Sequence, residues 1–336
     1  MRGTEDNVTT ALRKWIFMGG AALAQTLSMP AQAQDYPVKP VRMVVATSPG
    51  GGTDIAARLV SPKLTEYFGR QVVVENRGGA STTIGSEYVA RSAPDGYTLL
   101  MGVSSLAILP HILMKVPYKP EDFAPITQVA TSPNIMISHP SLPAKTPREL
   151  IALAKARPGQ LNIAAGGAGS SQHLAIALFV NMSGATILHV PYKGTGMAMI
   201  DVVAGHVHLM MANIIQALPI IRNGRLNAIG VTGLSRTAVA PNIPTIAEGG
   251  VPGYEVVQWY GLLAPANTPR DIIAKVRSGT VRSLQDAAVK ERFIADGAET
   301  VGNTSEEFAA IIATDLKKWA KVVKDAGIKP QQLGSF

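Results

Sequence analysis

The segment VRMVVATSPGGGTD at residues 41–54 decides the fold, because it joins an apolar strand to a helix through a glycine-rich turn. Its first part, residues 41–46, is a near-continuous apolar run that is typical of a strand buried on both faces of a sheet. Gly50, Gly51 and Gly52 then allow the backbone to expose its N–H groups just before a helix predicted over 53–68. A turn of this kind at a helix N-terminus is suited to binding an anion.

The pattern of strand followed by helix recurs along the chain and predicts an α/β protein. Further strands are predicted at 71–75, 97–101, 161–164, 186–190, 207–211, 226–231 and 256–264. Thr146 is the predicted N-cap of a helix that opens a second α/β series, and a long helix is predicted over 306–326. Pro62 is expected to kink or split the first helix. Near-continuous apolar strands separated by helices indicate parallel sheets covered by helices.

Three more polar loops follow predicted strands, and we expect them to meet the first loop. They contain Ser104 and Ser105, then Gly169, Ser170 and Ser171, then Tyr192, Lys193, Gly194, Thr195 and Gly196. Ligands of open parallel sheets bind beyond the carboxyl ends of the strands, so two facing sheets would bring the four loops to one cleft. Each loop alone is also typical of a plain glycine-rich turn. The first loop lacks the G-K-[ST] ending of a nucleotide-binding P-loop.

Catalysis and metal binding are not favoured by the sequence. No serine lies in a G-x-S-x-G motif, and no third group is recognisable beside Ser170 and His173. His206 and His208 lie on one face of a predicted strand without a third ligand, and the chain has no cysteine. Asp54 is expected to cap the helix or fix the loop instead of acting as a base. We therefore predict a protein that is not an enzyme and needs neither cofactor nor metal, with a hydrolase as the alternative.

The N-terminus predicts export from the cytoplasm. Arg13 and Lys14 precede an apolar run at 15–27, and the sequence AQA at 31–33 then provides a cleavage site, so residues 1–33 are predicted to be a signal peptide. The alternative is a buried first helix. The formal net charge is +8, but the basic residues are scattered and no basic run is interleaved with aromatics. The charge therefore favours anionic solutes over nucleic acid as partners.

A resemblance to a known family rests on eight segments. They are YPVKPVR at 36–42, PGGGTD at 49–54, VVVENR at 72–77, APDGYTLL at 93–100, GSS at 169–171, HVPYKG at 189–194, GLLAP at 261–265 and VVKDAG at 322–327. In order and spacing they closely resemble the Bug receptors, the substrate-binding proteins of tripartite tricarboxylate transporters. Departures occur at GGASTTIG over 78–85, and at His208 and Ala212, which stand where the family often has acids.

The resemblance implies a two-lobed type II periplasmic binding protein fold. Each lobe would be a mostly parallel sheet flanked by helices, with the ligand cleft between the lobes. Residues 35–131 plus 259–336 would form lobe 1, and residues 132–258 lobe 2. The implied function is that of a monomeric periplasmic receptor, which captures a small carboxylate and delivers it to the permease subunits of a tripartite transporter. A sensing module for a membrane signalling partner is the alternative.

The resemblance also implies which residues bind the ligand. They belong to the four loops, the end of a strand in lobe 2, and the return strand, namely Pro49, Gly50, Gly51, Gly52, Thr53, Asp54, Ser104, Ser105, Gly169, Ser170, Ser171, Tyr192, Lys193, Gly194, Asn213 and Trp259. Of these, Trp259 resembles the family's aromatic residue near the mouth of the cleft.

Overall fold

The computed structural model describes residues 36–167, 169–192, 195–330 and 332. Residues 39–336 form one compact unit. The predicted signal peptide, residues 1–33, lies outside the described residues. Within the described part of the chain, no helix is both long enough and apolar enough to cross a membrane.

The described strands join into one connected sheet, flanked by helices. The strands are β1 Val41–Val45, β2 Val72–Asn76, β3 Thr98–Val103, β4 Phe123–Ser138, β5 Leu161–Ala165, β6 Ile187–Pro191, β7 Leu209–Asn213, β8 Asn227–Val231, β9 Val257–Pro265 and β10 Glu299–Thr300. The helices are α1 Gly52–Phe68, α2 Thr83–Ala90, α3 Ser105–Ile112, α4 Pro147–Ala156, α5 Ser171–Ser183, α6 Thr195–Val203, α7 Ile214–Arg222, α8 Arg270–Gln285, α9 Ala287–Ala295 and α10 Ser305–Asp325.

The sheet consists of two groups of strands joined along β4. In the first group β2, β1 and β3 are parallel, and β9 is antiparallel to both β3 and β4. In the second group β6, β5 and β7 are parallel, while β4 is antiparallel to β7 and β8. The first half of β4 pairs with β9 and β10, and its second half, from Asn134, pairs with β7 and β8. This is the two-lobed α/β fold that the sequence predicts.

The predicted strands are confirmed to within two residues at each end, but β4, β10, α3 and α9 are missing from the prediction. Pro125 and Pro133 lie within β4, whose ladder to β9 shifts register near Pro125. Because proline cannot donate a ladder hydrogen bond, a strand that contains two prolines is hard to recognise in a sequence. Pro62 lies inside α1, which continues to Phe68, so the expected split of this helix is wrong.

Local sequence explains where the helices begin and end. Thr146 caps α4 by accepting the Glu149 N–H, as predicted. Thr304 and Glu307 form a capping box at the start of α10. Gly69 ends α1 in the left-handed conformation, with φ +62°, where glycine has no steric penalty.

The largest apolar cluster takes side chains from both α/β series. Ile108 and Ile112 of α3 belong to it together with Phe179 of α5 and Trp319 of α10, and all of these side chains are buried. Helix α3 follows the first group of strands in the chain, whereas α5 belongs to the second group. The two series therefore share part of one core, and the residue boundaries given above for the two lobes stay a prediction.

Gly85 provides a test of the packing between α2 and β1. A Cβ atom at this position would lie 2.7 Å from the Arg77 carbonyl oxygen and 2.8 Å from the Ala46 Cα. Alanine normally stabilises a helix by about 1 kcal/mol over glycine. Here the neighbours are backbone atoms that cannot rotate away, so we expect Gly85→Ala to destabilise the protein by about 1–3 kcal/mol in a denaturant titration.

The matched control is Gly196→Ala in α6, where a new Cβ would meet no heavy atom within 4 Å. This control should keep the stability of the parent protein. Equal stability of the two variants would contradict the close packing of α2 on β1.

Candidate ligand-binding site

A cleft of about 260 Å³ lies where the N-termini of five of the described helices, α1, α3, α5, α6 and α7, meet. Its lining combines backbone amides, hydroxyls and side-chain amides with a few apolar groups. The residues are Thr47, Gly50, Gly51, Gly52, Thr53, Ile55, Thr82, Val103, Ser104, Ser105, Ser170, Ser171, Gln172, Thr195, Asn213, Ile215, Gln216 and Gln258. All of these described lining residues are uncharged. The positive potential of the cleft therefore comes from helix N-termini and N–H groups.

The first loop approaches the cleft through its three glycines. Gly50 has φ +79°, a conformation that side chains rarely adopt. A Cβ on Gly52 would lie 3.0 Å from Cζ of Tyr260 and would overlap its hydroxyl group. Position 50 therefore requires glycine because of its backbone conformation, and position 52 requires glycine because Tyr260 occupies the space of a side chain.

Asp54 lies below this loop and does not line the cleft. Its carboxylate accepts the Gly50 N–H at 2.9 Å, Nδ2 of Asn76 at 2.9 Å and Nε of Arg58 at 3.0 Å. Burial would raise the pKa of Asp54, but the hydrogen bonds from Arg58, Gly50 and Asn76 outweigh it and lower the pKa. Asp54 therefore stays ionised and fixes the shape of the loop, as expected from the sequence.

Two hydroxyl groups in the lining have no hydrogen-bond partner among the described residues. They are the buried Oγ1 of Thr47 and Oγ of Ser104. Ser104, the N-cap of α3, is only 2% exposed. Leaving a buried hydroxyl unpaired costs about 1–3 kcal/mol. Each hydroxyl would therefore become more stable if a ligand oxygen accepted a hydrogen bond from it.

The second loop begins α5 and is linked to β9. Ser170 caps the helix by accepting the His173 N–H at 3.2 Å. The Ser171 hydroxyl donates to Oε1 of Gln258 at 2.8 Å. Gly169 does not line the cleft, because a Cβ at this position would lie 2.5 Å from Ile112. The loop is thus held from behind by α3 and from the side by β9.

Asn213 is also part of the polar lining, and the Tyr260 hydroxyl lies beside it, next to Gly52. Asn213 caps α7 by accepting the Ile215 N–H at 3.0 Å. The Tyr260 hydroxyl faces the side chains of Asn213 and Gln258, and burial raises its pKa to about 12. Tyr260 therefore stays protonated and is available as a hydrogen-bond donor beside Gly52.

Trp259, predicted near the mouth of the cleft, lies on the opposite face of β9. Its Nε1 donates to Oδ2 of Asp315 at 2.8 Å, and its ring packs edge-on against Phe308. Side chains alternate along a strand, so Gln258 and Tyr260 take the cleft face instead. The sequence analysis did not predict Gln258 and Tyr260 as site residues. Because side chains alternate between the two faces of a strand, the orientation of Trp259 would have been enough to place both of them on the cleft face.

The other predicted residues fall into three groups. Gly50, Gly51, Gly52, Thr53, Ser104, Ser105, Ser170, Ser171 and Asn213 are brought together around the cleft, whereas Pro49 and Tyr192 are not part of its lining. The Tyr192 hydroxyl donates to Oδ2 of Asp201 at 2.6 Å. Lys193 and Gly194 lie outside the described residues. Thr195, from the last of the four polar loops, also lines the cleft. The sequence analysis missed Thr47, Thr82, Ile55, Val103, Gln172, Ile215 and Gln216, which carry no recognisable motif.

Histidines His206 and His208 do not form a metal centre with other groups in the described part of the chain, which contains no cluster of three or more possible ligands. His206 lies beside Asp201, with Nδ1 3.5 Å from Oδ1. The ring of His208 accepts the Asn162 N–H at 3.3 Å.

A stacked histidine pair lies behind the second loop. The rings of His173 and His189 are 4.7 Å apart and nearly parallel, at 15°. The Gly169 N–H donates to Nδ1 of His173 at 3.3 Å. Burial, assisted by the charge that His189 can carry, lowers the pKa of His173 to about 4, and burial also lowers the pKa of His189. Both rings are therefore neutral at neutral pH.

Comparison with known proteins gives consistent matches over most of the chain. The family model described as "Tripartite tricarboxylate transporter family receptor" matches residues 56–328. Protein BugT of Bordetella pertussis is 38% identical over 317 residues, which cover 94% of this chain and 96% of BugT. The solved structure of R. palustris Rpa4515 with adipate has a TM-score of 0.80 at 34% identity and covers 88% of this chain and 100% of that one. MatC from Rhodopseudomonas palustris, with bound malate, has a TM-score of 0.74 at 31% identity. The match covers 86% of this chain and 100% of MatC.

The histidine pair predicts acid sensitivity of the second loop. A histidine whose folded-state pKa lies below its ordinary value of 6.5 binds fewer protons in the folded protein than in the unfolded chain. Stability should therefore be complete above pH 6.5 and fall as the pH decreases towards 4. His189→Phe keeps an aromatic ring against His173 but removes one titrating group, so the variant should lose less stability over this interval, by about 2–4 °C in melting temperature.

The exposed Leu188, next to His189 on β6, provides the control, because Leu188→Phe changes no titrating group and should follow the acid profile of the parent protein. Identical pH profiles for His189→Phe and the parent protein would show that the stacked pair does not titrate in this range.

Proposed function

Because this chain belongs to the tripartite tricarboxylate transporter receptor family, we propose that it captures a small carboxylate in the cleft and delivers it to a membrane permease. It acts in the periplasm as a monomeric receptor, not as an enzyme. Residues 35–131 plus 259–336 move against residues 132–258 when the ligand is bound. The observation that carries the proposal is the meeting of five helix N-termini around an uncharged, hydroxyl-rich cleft.

The chemistry of the cleft fits a carboxylate. Helix N-termini carry partial positive charge and unpaired N–H groups, and carboxylate oxygens accept several hydrogen bonds at once. A hydrogen bond to a charged group contributes about 1.5–3 kcal/mol net. Part of this free energy is lost because loops and side chains become ordered on binding. Four or five such bonds would still supply the roughly 8 kcal/mol that corresponds to a micromolar dissociation constant.

The contacts come from both groups of strands. Gly50–Thr53, Ser104 and Ser105 provide donors from the first group. Ser170, Ser171 and Asn213 provide donors from the second group. Gln258 and Tyr260, on β9 of the first group, complete the proposed set. A ligand that contacts all of them would hold the two lobes together, which couples binding to closure.

The solved relatives narrow the class of ligand. The R. palustris relative has adipate bound and MatC has malate bound. Both ligands are dicarboxylates, and they differ in length and in polarity. We therefore propose a dicarboxylate for this chain.

A thermal-shift screen of the purified protein against mono-, di- and tricarboxylates tests the proposed function. A ligand at 100 times its dissociation constant stabilises the folded protein by about 2.7 kcal/mol, which raises the melting temperature. We expect one or more dicarboxylates to do so. Sugars and cationic amines of similar size serve as controls, and stabilisation by these compounds alone would contradict a carboxylate receptor.

The unpaired hydroxyl of Ser104 gives a sharper test. Ser104→Ala removes a buried polar group that lacks a partner, so the ligand-free protein should be as stable as the parent or more stable. If the ligand accepts the Ser104 hydroxyl, the affinity measured by calorimetry should fall by about tenfold.

Ser138→Ala is the matched control, because the Ser138 hydroxyl in β4 is also buried and without a partner among the described residues, but lies outside the cleft lining. This variant should bind the ligand as the parent does. Equal affinity of the Ser104 and Ser138 variants would remove Ser104 from the binding site.

A further inference from the structure

A second concavity, which we call the apolar groove, lies next to the cleft. It has a volume of about 600 Å³ and lies between α6 and α7. Its lining residues are Thr195, Gly196, Met199, Ile200, Val203, Ala204, Gln216, Ile220 and Arg225. Thr195 and Gln216 also line the cleft. The cleft and the groove are therefore adjacent, with Thr195 and Gln216 at their common border.

The spacing of the lining residues gives the groove a direction. Thr195, Met199 and Val203 follow one another at intervals of four on α6, and Gln216 and Ile220 do so on α7. Residues four apart lie on the same face of a helix. The groove therefore runs along both helices, from their N-termini at the cleft towards their C-terminal ends. Eight residues of helix correspond to a length of about 12 Å.

The walls and the far end of the groove differ in chemistry. Met199, Ile200, Val203 and Ile220 make the walls apolar. Ile200 is 68% exposed, so its side chain is open to an incoming group. Arg225 follows the end of α7, and among the described residues that line the groove it is the one with a charge. Apolar side chains thus lie between the end of the groove next to the cleft and the guanidinium group of Arg225.

We infer that the groove holds the hydrocarbon chain of an elongated dicarboxylate, with one carboxylate in the cleft and the other at Arg225. This inference rests on the proposed function and names its substrate class more closely. A short, polar diacid would occupy the cleft and leave the groove empty. A longer chain gains affinity because each methylene group leaves water for an apolar wall. The guanidinium of Arg225 then pairs with the distal carboxylate, with which it can form two parallel hydrogen bonds.

Calorimetry with succinate, adipate, decanedioate and decanoate tests the inference on the purified protein. Burial of a methylene group in a half-open groove should improve affinity about twofold, so decanedioate should bind at least about tenfold more tightly than succinate. Decanoate has the chain but lacks the distal carboxylate, and should bind less tightly than decanedioate.

Two variants and one control separate the groove from the cleft. Ile200→Gln replaces an apolar wall by a polar side chain of similar size, and should weaken decanedioate about fivefold without affecting succinate. Arg225→Gln should reduce the affinity for decanedioate to that for decanoate. Met197→Gln is the control, because Met197 is 65% exposed on the same helix but does not line the groove, and it should bind every acid as the parent does.

The outcomes distinguish this inference from the function on which it rests. If no carboxylate binds, both the proposed function and the inference are wrong. If succinate or adipate binds but decanedioate binds no more tightly, the inference is wrong and the proposed function stands. The same conclusion follows if Ile200→Gln and Met197→Gln have equal effects on decanedioate, as expected if the groove contacts a permease instead of the ligand.

Discussion

The antiparallel pairing of β4 with β9 is the constraint on which the rest of the structure depends. Strand β9 also pairs with β3, while β4 continues into the second group and pairs with β7 and β8. The register of this ladder places Gln258 and Tyr260 on the cleft face and Trp259 on the other. Gly261 also belongs to that other face, where the ring of Phe308 occupies the space that a side chain would need. A shift of one residue would exchange the two faces and remove both polar groups from the cleft.

The same ladder explains how far the sequence could predict the site. The glycine- and serine-rich loops were predictable because their causes are local, such as the positive φ of Gly50 and the N-cap bonds of Ser170 and Asn213. The orientation of β9 does not have a local cause, because it depends on pairing with β4. The two prolines in β4 make this strand hard to recognise in the sequence. The prediction of Trp259 near the mouth of the cleft therefore could not take into account that its side chain lies on the other face of β9. Thr82 has φ +80° without being glycine, so no sequence signal marks its place in the lining.

The shared apolar core restricts how the two lobes can move. Side chains of α3, α5 and α10 pack together in one cluster, and Gly169 of the second loop lies against Leu109 and Ile112 of α3. Separating these groups would expose apolar surface, at about 25 cal/mol for each Å². Any opening motion of the proposed lobes would therefore pivot near this cluster and widen the cleft on the side away from it. In such a motion α3 couples the two groups of strands, because Ser104 at its start lines the cleft and Ile112 at its end supports the second loop.

Selectivity in this cleft must come from residues other than those that hold the anion. The side chains of Asp54, Ser170 and Asn213 each accept a hydrogen bond from a nearby backbone N–H. The loops need these residue types for their shape, whichever ligand is bound. Backbone amides recognise any carboxylate in the same way, so the loops provide affinity without discrimination. The two solved relatives hold different dicarboxylates, adipate in one and malate in the other. Discrimination then depends on Ile55, Gln172 and Gln216, whose side chains have no part in shaping the loops, and on the groove that begins at Gln216. These are the positions at which the ligand can change while the fold and its anion-binding loops stay the same.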